Sequence, residues 1–222
     1  MRCYCYESEM DFIFCVEGAE GKILENLRAD PWWKEDGGKF LKIYPMQTGE
    51  DDSWHKNAED KEAIKRNFAR LGRAWFEGVF NWKRVLLSLA RTLSENGIEW
   101  YVIGSASEAA LGVDVVPHDL DIAVHTRDFY RVKGLFSDSV IEPFVDNKGT
   151  WLVRYFGKLC VDGASIDIVA DEKMNRENHE YDSASWNGFD VWIEPLRVRY
   201  QTELQRDRVN RIKAIEAYMG KQ

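Results

Sequence analysis

The first 45 residues contain short apolar runs separated by polar, glycine-bearing turns, a pattern typical of a small sheet with one helix. Strands are predicted at residues 1–6, 12–17 and 39–44, and a short helix at 21–29. The polar stretch 49–53 predicts a linker. We therefore expect an α+β unit over residues 1–56, followed by a larger domain over 57–222.

From about Asn57 the apolar residues recur with a helical period. One stripe comprises Ile64, Phe68, Leu71, Trp75 and Val79, and a second helix over 82–94 has Trp82, Val85, Leu86, Leu89 and Leu93 on one side. Asn81 is a favourable N-cap for the second helix, and Asn96-Gly97 suits its left-handed end.

Beyond residue 98, predicted strands and helices alternate. The strands are expected at 99–103, 119–125, 140–145, 151–156, 165–170 and 189–193, and the helices at 105–111, 127–136 and from about 196 onward. This mixture predicts an α/β (α+β) domain with a mixed sheet, in which a helical lead-in precedes the sheet and a helical tail follows it.

The charge distribution narrows the range of partners. Residues 1–60 carry 14 acidic and 7 basic side chains (−7), and residues 61–222 carry 24 and 23 (−1), which together give −8. A broad nucleic-acid surface needs concentrated positive charge and is not expected. No apolar run approaches the ~18 residues of a membrane helix, and the first residues do not resemble a secretion signal. A cytoplasmic protein without a membrane partner is expected.

The four cysteines lack the paired spacing of a zinc site, and the histidines supply no pair, so reduced cysteines are expected at Cys3, Cys5, Cys15 and Cys160. Three tryptophans, Trp32, Trp33 and Trp54, lie in the acidic N-terminal unit. They could form a docking face for a protein partner or the core of the unit, and we favour the core.

A possible phosphate site lies at Gly104-Ser105, between a predicted buried strand and a small-residue helix. Glycine allows the backbone to approach a phosphate closely, and the helix N-terminus presents free N–H groups. Such turns are also common in proteins that bind no ligand, so the turn alone is a weak signal.

Acidic residues occur at three predicted strand positions. Asp119 and Asp121 are two residues apart, so their side chains project from the same face of a strand. Asp167 interrupts an apolar strand, where an isolated carboxylate would be costly. A Mg²⁺ ion shared by the three acids would satisfy them. The alternative for the pair is a solvated strand end. For Asp167 the alternatives are a salt bridge to an arginine such as Arg154 or an edge position open to water.

Together these features resemble the nucleotidyltransferase superfamily that includes DNA polymerase β. The matching residues are Ile103-Gly104-Ser105, an interval of thirteen residues, Asp119-Leu120-Asp121-Ile122, and the later Asp167. The resemblance covers about residues 81–219 and is strongest to small bacterial and archaeal members, such as antibiotic-modifying enzymes and toxin–antitoxin nucleotidyltransferases.

The resemblance implies a mixed-sheet nucleotidyltransferase fold and Mg²⁺-dependent transfer of a nucleoside monophosphate from an NTP, with ATP expected, to an acceptor hydroxyl. Gly104 and Ser105 would bind phosphates, and Asp119, Asp121 and Asp167 would hold two Mg²⁺ ions, with Mn²⁺ as a substitute. Asp167 could also accept the proton of the acceptor. The acceptor could be a small molecule or a protein. A catalytically silent nucleotide-binding or protein-interaction module of the same fold is the alternative.

The sequence departs from this family before the first acid, where Pro117-His118 replaces the usual arginine or serine. Arg127 and Arg206 are therefore predicted to contact the nucleotide, with Arg211 as a further candidate. The alternative for the two tail arginines is a solvated helix face.

Overall fold

The computed structural model describes residues 1–8, 11–45, 58–149, 152–186 and 188–221. The strands are β1 (Arg2–Glu7), β2 (Asp11–Glu17), β3 (Lys34–Asp36), β4 (Lys39–Pro45), β5 (Trp100–Ile103), β6 (Leu120–Val124), β7 (Val140–Asp146), β8 (Tyr155–Val161), β9 (Ala164–Ala170), β10 (Asp182–Trp186) and β11 (Phe189–Ile193). The helices are α1 (Gly21–Ala29), α2 (Ala58–Glu77), α3 (Trp82–Glu95), α4 (Gly104–Leu111), α5 (Phe129–Leu135), α6 (Leu196–Gln205) and α7 (Val209–Met219).

The N-terminal strands form an antiparallel sheet in the order β1-β2-β4-β3. Phe14 of this sheet contacts Phe68 of α2 edge to face, with 5.1 Å between ring centroids. Both side chains belong to one hydrophobic core that continues into the larger sheet. Trp33 is buried in that core, whereas Trp32 is 66% exposed. Trp54, the linker 49–53 and the boundary at 56/57 lie outside the described residues.

Helices α2 and α3 have the predicted apolar faces, with Ile64, Phe68 and Leu89 among their buried residues. The Asn81 side chain accepts a hydrogen bond from the Arg84 backbone N–H at 3.2 Å, as an N-cap should. The inclusion of Val79 in the first stripe is wrong, because α2 ends at Glu77 and Val79 is exposed.

The larger sheet has the strand order β10-β11-β5-β6-β9-β8-β7. The pairs β11–β5 and β6–β9 are parallel, and the other neighbours are antiparallel. One face of the sheet contributes Leu120, Ile122, Ile166 and Ile168 to the main core. The mixed-sheet fold class is confirmed, with an N-terminal α+β extension and C-terminal helices.

Some predicted element bounds are wrong. The strand predicted at 151–156 is β8, Tyr155–Val161, and the short strands β3 and β10 were not predicted. The C-terminal tail is two helices, α6 and α7, and a 3₁₀ turn over Thr126–Asp128 precedes α5. The shift of β8 follows from Asp162-Gly163, two residues with positive φ that form the tight turn between β8 and β9.

All four cysteines are free, in agreement with the predicted reduced state. Cys3, Cys15 and Cys160 are buried. In the described ranges, every helix is too short or too polar to cross a membrane.

Candidate functional site

The two acidic strands lie side by side in the larger sheet. β6 pairs with β9 in parallel, and the register places Asp121 opposite Asp167. Their strand neighbours Leu120, Ile122 and Ile166 face the opposite, buried side of the sheet. The alternation of strand side chains therefore directs both carboxylates toward the same face.

Asp119 lies one residue before β6 and adds a third carboxylate to this group. Burial, the Asp119 carboxylate and the Asp167 carboxylate together raise the pKa of Asp121 from 3.8 to about 7. Without a bound cation, Asp121 therefore holds a proton near neutral pH more readily than an ordinary aspartate. A site with this electrostatic character favours a positively charged ligand.

The turn between β5 and α4 packs directly against Asp121. Gly104 has φ +63°, and a Cβ atom built there would lie 2.1 Å from Asp121 Oδ2. Only glycine fits this position, because it tolerates the left-handed conformation and leaves room for the carboxylate. The Ser107 hydroxyl donates to the Gly104 carbonyl at 2.7 Å, and Ser105 is buried in the first turn of α4. The predicted phosphate turn and the first acidic strand are thus in contact.

Lys158 of β8 lies opposite Asp167 on the other side of β9. Its Nζ atom is 2.6 Å from Asp167 Oδ1, although this oxygen accepts no well-formed hydrogen bond from the described residues. Burial raises the pKa of Asp167, and the Lys158 ammonium opposes that shift. The salt-bridge alternative for Asp167 therefore has Lys158 as its partner, because Arg154 pairs with Asp146 at 3.0 Å.

Asp121, Asp167 and Lys158 form a row of charged residues across neighbouring strands, and this row continues to β7 and then to the N-terminal sheet. Glu142 is opposite Lys158 in the register of β7 and β8 and is almost fully buried. Lys42 Nζ of β4 lies 2.7 Å from Glu142 Oε1, and the Tyr44 hydroxyl donates to Glu142 Oε2. Burial and the Glu142 carboxylate raise the pKa of Tyr44, so this hydroxyl stays a donor. The N-terminal unit thus reaches the strands that carry the candidate site.

A buried ion-pair network holds α4 against the C-terminal helices. Arg199 of α6 donates from Nε to Glu108 Oε1 at 3.1 Å and also bonds Glu203. Arg211 of α7 donates to Glu108 Oε2 at 2.8 Å. Glu108 and Glu203 are fully buried, so these arginines compensate carboxylates that could not be buried alone. The network fixes the helix that begins at Gly104.

Neither Arg127 nor Arg206 forms an ion pair with the three acids in the part of the chain that the structure describes. Arg127 follows the far end of β6, where its guanidinium lies 2.7 Å from Glu99 Oε2. Arg206 is an exposed residue at the C-terminal end of α6, about two turns beyond Arg199. Arg211 is committed to Glu108, as described above. Nucleotide contacts by Arg127 and Arg206 stay predictions.

Asp119 and Asp121 suit one Mg²⁺, because this ion is usually bound by one or two carboxylates together with substrate phosphates. The Gly104 turn leaves room for the Asp121 carboxylate itself, since a Cβ at position 104 would lie 2.1 Å from Oδ2. No group of three or more acid, histidine or cysteine side chains in the described parts of the chain is arranged to hold an ion. The second ion, which would involve Asp167, stays a prediction, and Lys158 already contacts that carboxylate.

Sequence reasoning missed Lys158, Glu142 and Arg199. A usable signal existed for Lys158, because an Asp-Gly pair between two apolar runs is a strong hairpin marker. A two-residue loop at Asp162-Gly163 places Lys158 opposite Asp167. Glu142 gave no comparable signal, since Lys42 is 100 residues away in sequence. Arg199 has a local partner in Glu203, four residues on, but its pairing with Glu108 spans 91 residues.

No protein-family model and no curated protein matches this chain. Among solved structures, it is similar to a Thermotoga maritima protein described as a candidate nucleotidyltransferase, with 22% identity over 63% of this chain and 92% of the other, at a TM-score of 0.49. It is also similar to an antigenic nucleotidyltransferase-like protein from Paracoccidioides brasiliensis, with 16% identity over 60% of this chain and 74% of the other, at a TM-score of 0.41. At these TM-scores, function has to be inferred from the site itself.

Proposed function

We propose that this protein is a metal-dependent nucleotidyltransferase that moves a nucleoside monophosphate from an NTP to an acceptor hydroxyl. The observation that carries the proposal is the contact of the Gly104 turn with Asp121, which is itself in register with Asp167. A phosphate turn, a metal-binding pair and a further carboxylate from a neighbouring strand are the parts that this chemistry needs.

The triphosphate would lie on the Gly104-Ser105 turn, where the first N–H groups of α4 can donate to phosphate oxygens. Asp119 and Asp121 would hold Mg²⁺ next to it. When bound, the ion supplies positive charge that neutralises the phosphates and orients them for attack. The buried Glu108–Arg199 pair would keep the turn in place as the ligand enters.

In the transfer step, the acceptor oxygen forms a bond to the α-phosphorus, and the bond from that phosphorus to the oxygen bridging to the β-phosphate breaks. The electron pair of the broken bond leaves with pyrophosphate. The acceptor proton passes to the carboxylate of Asp167, whose Oδ1 lies 2.6 Å from the Lys158 ammonium. The acceptor would therefore bind beside Asp167, and the NTP would bind beside the Gly104 turn.

ATP is the proposed donor, and the acceptor class is a small molecule or a protein. A protein partner could dock at Trp32, which is exposed among the described residues of the N-terminal unit. These partners and a cytoplasmic location stay predictions.

A silent nucleotide-binding module is the second candidate. It is favoured by one observation, the ion pair of Lys158 with Asp167, which satisfies that acid without any catalytic role. In such a module the acids would be retained as a binding site, and neutralising one of them would relieve their mutual repulsion.

Transfer assays separate the two candidates. The wild type is incubated with each α-labelled NTP, Mg²⁺ and a panel of hydroxyl acceptors that includes the protein itself, and pyrophosphate release is followed. Asp167→Asn should reduce transfer by about 10²–10⁴-fold while keeping NTP affinity within about tenfold. Asp162→Asn, in the exposed turn beside β9, is the matched control and should transfer normally. A wild type that is inert toward every NTP, with an Asp167→Asn variant of higher melting temperature, would favour the silent module.

A further inference from the structure

Lys158 is held in place from several sides. Its ammonium lies 2.6 Å from Asp167 Oδ1, and Glu142 is its register partner on the opposite strand. The ring centroids of Trp75 and Phe156 lie 5.9 and 5.7 Å from Nζ, within the range of cation–π attraction. Only 16% of the side chain is exposed. An ammonium with these neighbours is a fixed part of the site.

The N-terminal sheet contributes to this fixation. Glu142 is almost fully buried, and Lys42 and Tyr44 of β4 bind its two oxygens. A carboxylate bound in this way cannot rotate away from β8, so its negative charge stays next to Lys158. The lysine is therefore placed between two fixed carboxylates, Glu142 and Asp167.

A divalent cation shared by Asp121 and Asp167 would compete with this arrangement. Mg²⁺ binds oxygen at about 2.0–2.1 Å, and the Asp167 carboxylate already has the Lys158 ammonium 2.6 Å from its Oδ1. The two cations would also repel each other strongly at such a separation. The three acids and Lys158 suit one divalent ion better than two.

We infer that the site takes a single divalent cation, held by Asp119 and Asp121, and that Lys158 supplies the second positive charge beside Asp167. This inference rests on the proposed function. Lys158 is a positioning residue, because it orients the Asp167 carboxylate toward the acceptor side and keeps a second metal ion out. The Lys158 ammonium remains in place throughout the turnover, so Asp167 needs no second metal ion from solution to neutralise its charge.

Counting bound Mn²⁺ by electron paramagnetic resonance tests this inference. The full chain is titrated with Mn²⁺ in the presence of saturating α,β-methylene ATP, which cannot undergo the transfer. The wild type should bind one Mn²⁺ per chain. Lys158→Met should bind two, since its three carboxylates then lack a resident cation, and Lys158→Arg should return the count to one. Lys133→Met, which removes a half-buried lysine paired with Asp60 elsewhere, is the control and should stay at one.

Each other outcome is decisive. Two Mn²⁺ ions in the wild type would overturn the inference, and this result requires no variant to fold. A Lys158→Met variant that is folded by circular dichroism and binds one Mn²⁺ with wild-type affinity would also overturn it. Absence of Mn²⁺ and nucleotide binding in the wild type would instead refute the proposed function, and the inference with it.

Discussion

Asp121 and Asp167 are register partners on two neighbouring parallel strands. Gly104, directly after a third strand, packs against the Asp121 carboxylate. Register partners on neighbouring strands are about 4.8 Å apart. Two carboxylates at such a distance repel each other and require a cation nearby. The structure supplies one cation, Lys158, to Asp167, whereas none of the described lysines and arginines forms an ion pair with Asp121.

Replacement of Gly104 should separate the role of the turn from ordinary backbone strain. Gly104→Ala adds a Cβ 2.1 Å from Asp121 Oδ2, so the carboxylate must move and Mg²⁺·ATP affinity should fall at least tenfold. Gly97→Ala is the matched control, because Gly97 has the same φ of +63° but nothing within 4 Å of the new Cβ. Both variants should lose about 1–3 kcal/mol of stability. Isothermal titration calorimetry and thermal melts measure the two effects, and equal binding losses would contradict the role of the turn.

The stability of the metal-free protein should depend on pH through Asp121. Its pKa is raised to about 7 by burial, Asp119 and Asp167, so between about pH 4 and 7 the folded chain holds a proton that the unfolded chain has lost. Stability contributed by this proton is present at low pH and is lost as the pH rises through 7. Above pH 7 the folded chain has to bury the ionised Asp121 carboxylate near two other acids. Asp121→Asn removes this cost, so it should raise the melting temperature there by several degrees.

The gain in melting temperature for Asp121→Asn should disappear near pH 4, where the aspartate is protonated in both states. Melts in chelator at several pH values measure it. Asp114→Asn, at an exposed position before the same strand, is the control variant. A pH-independent difference for Asp121→Asn would contradict the raised pKa. For the same reason, Mg²⁺ affinity should increase as the pH rises through 7.

The buried network around Glu108 should be essential for the fold of the site. Arg199→Met leaves Glu108 and Glu203 buried without this arginine, and breaking a buried pair costs about 3–5 kcal/mol. Arg197→Met, on the same helix, removes only an exposed pair with Glu180 and should leave the unfolding midpoint nearly unchanged. Urea denaturation measures both, and similar midpoints would show that the network contributes little.

The contact between the N-terminal sheet and Glu142 should contribute to the free energy of unfolding. Tyr44→Phe removes the hydroxyl that donates to this buried carboxylate and should cost about 1–3 kcal/mol. Tyr6→Phe, an exposed tyrosine in the same sheet, should change stability by less than about 0.5 kcal/mol. If both variants unfold at the same denaturant concentration, the hydrogen bond from Tyr44 to Glu142 does not stabilise the protein.

Local sequence determined much of the framework. Asn81 and Gly97 mark the ends of α3, and the apolar alternation around Asp121 and Asp167 identifies both acidic strands. These features depend on neighbours within a few residues, where turn chemistry and side-chain periodicity act directly. The turn at Gly104, between a strand and a helix, was readable for the same reason.

Only the tertiary structure decided which charges meet. Lys158 faces Asp167 through strand pairing, and Lys42 reaches Glu142 from a different sheet, 100 residues away in sequence. Arg127 lies close to the acids in sequence but at the opposite end of β6, where it pairs with Glu99. Charged side chains have no periodicity that reveals their partners, because ion pairing depends on distance in space and on burial. The sequence alone therefore located the three acids, and the pairing of β8 with β9 placed the lysine that accompanies them.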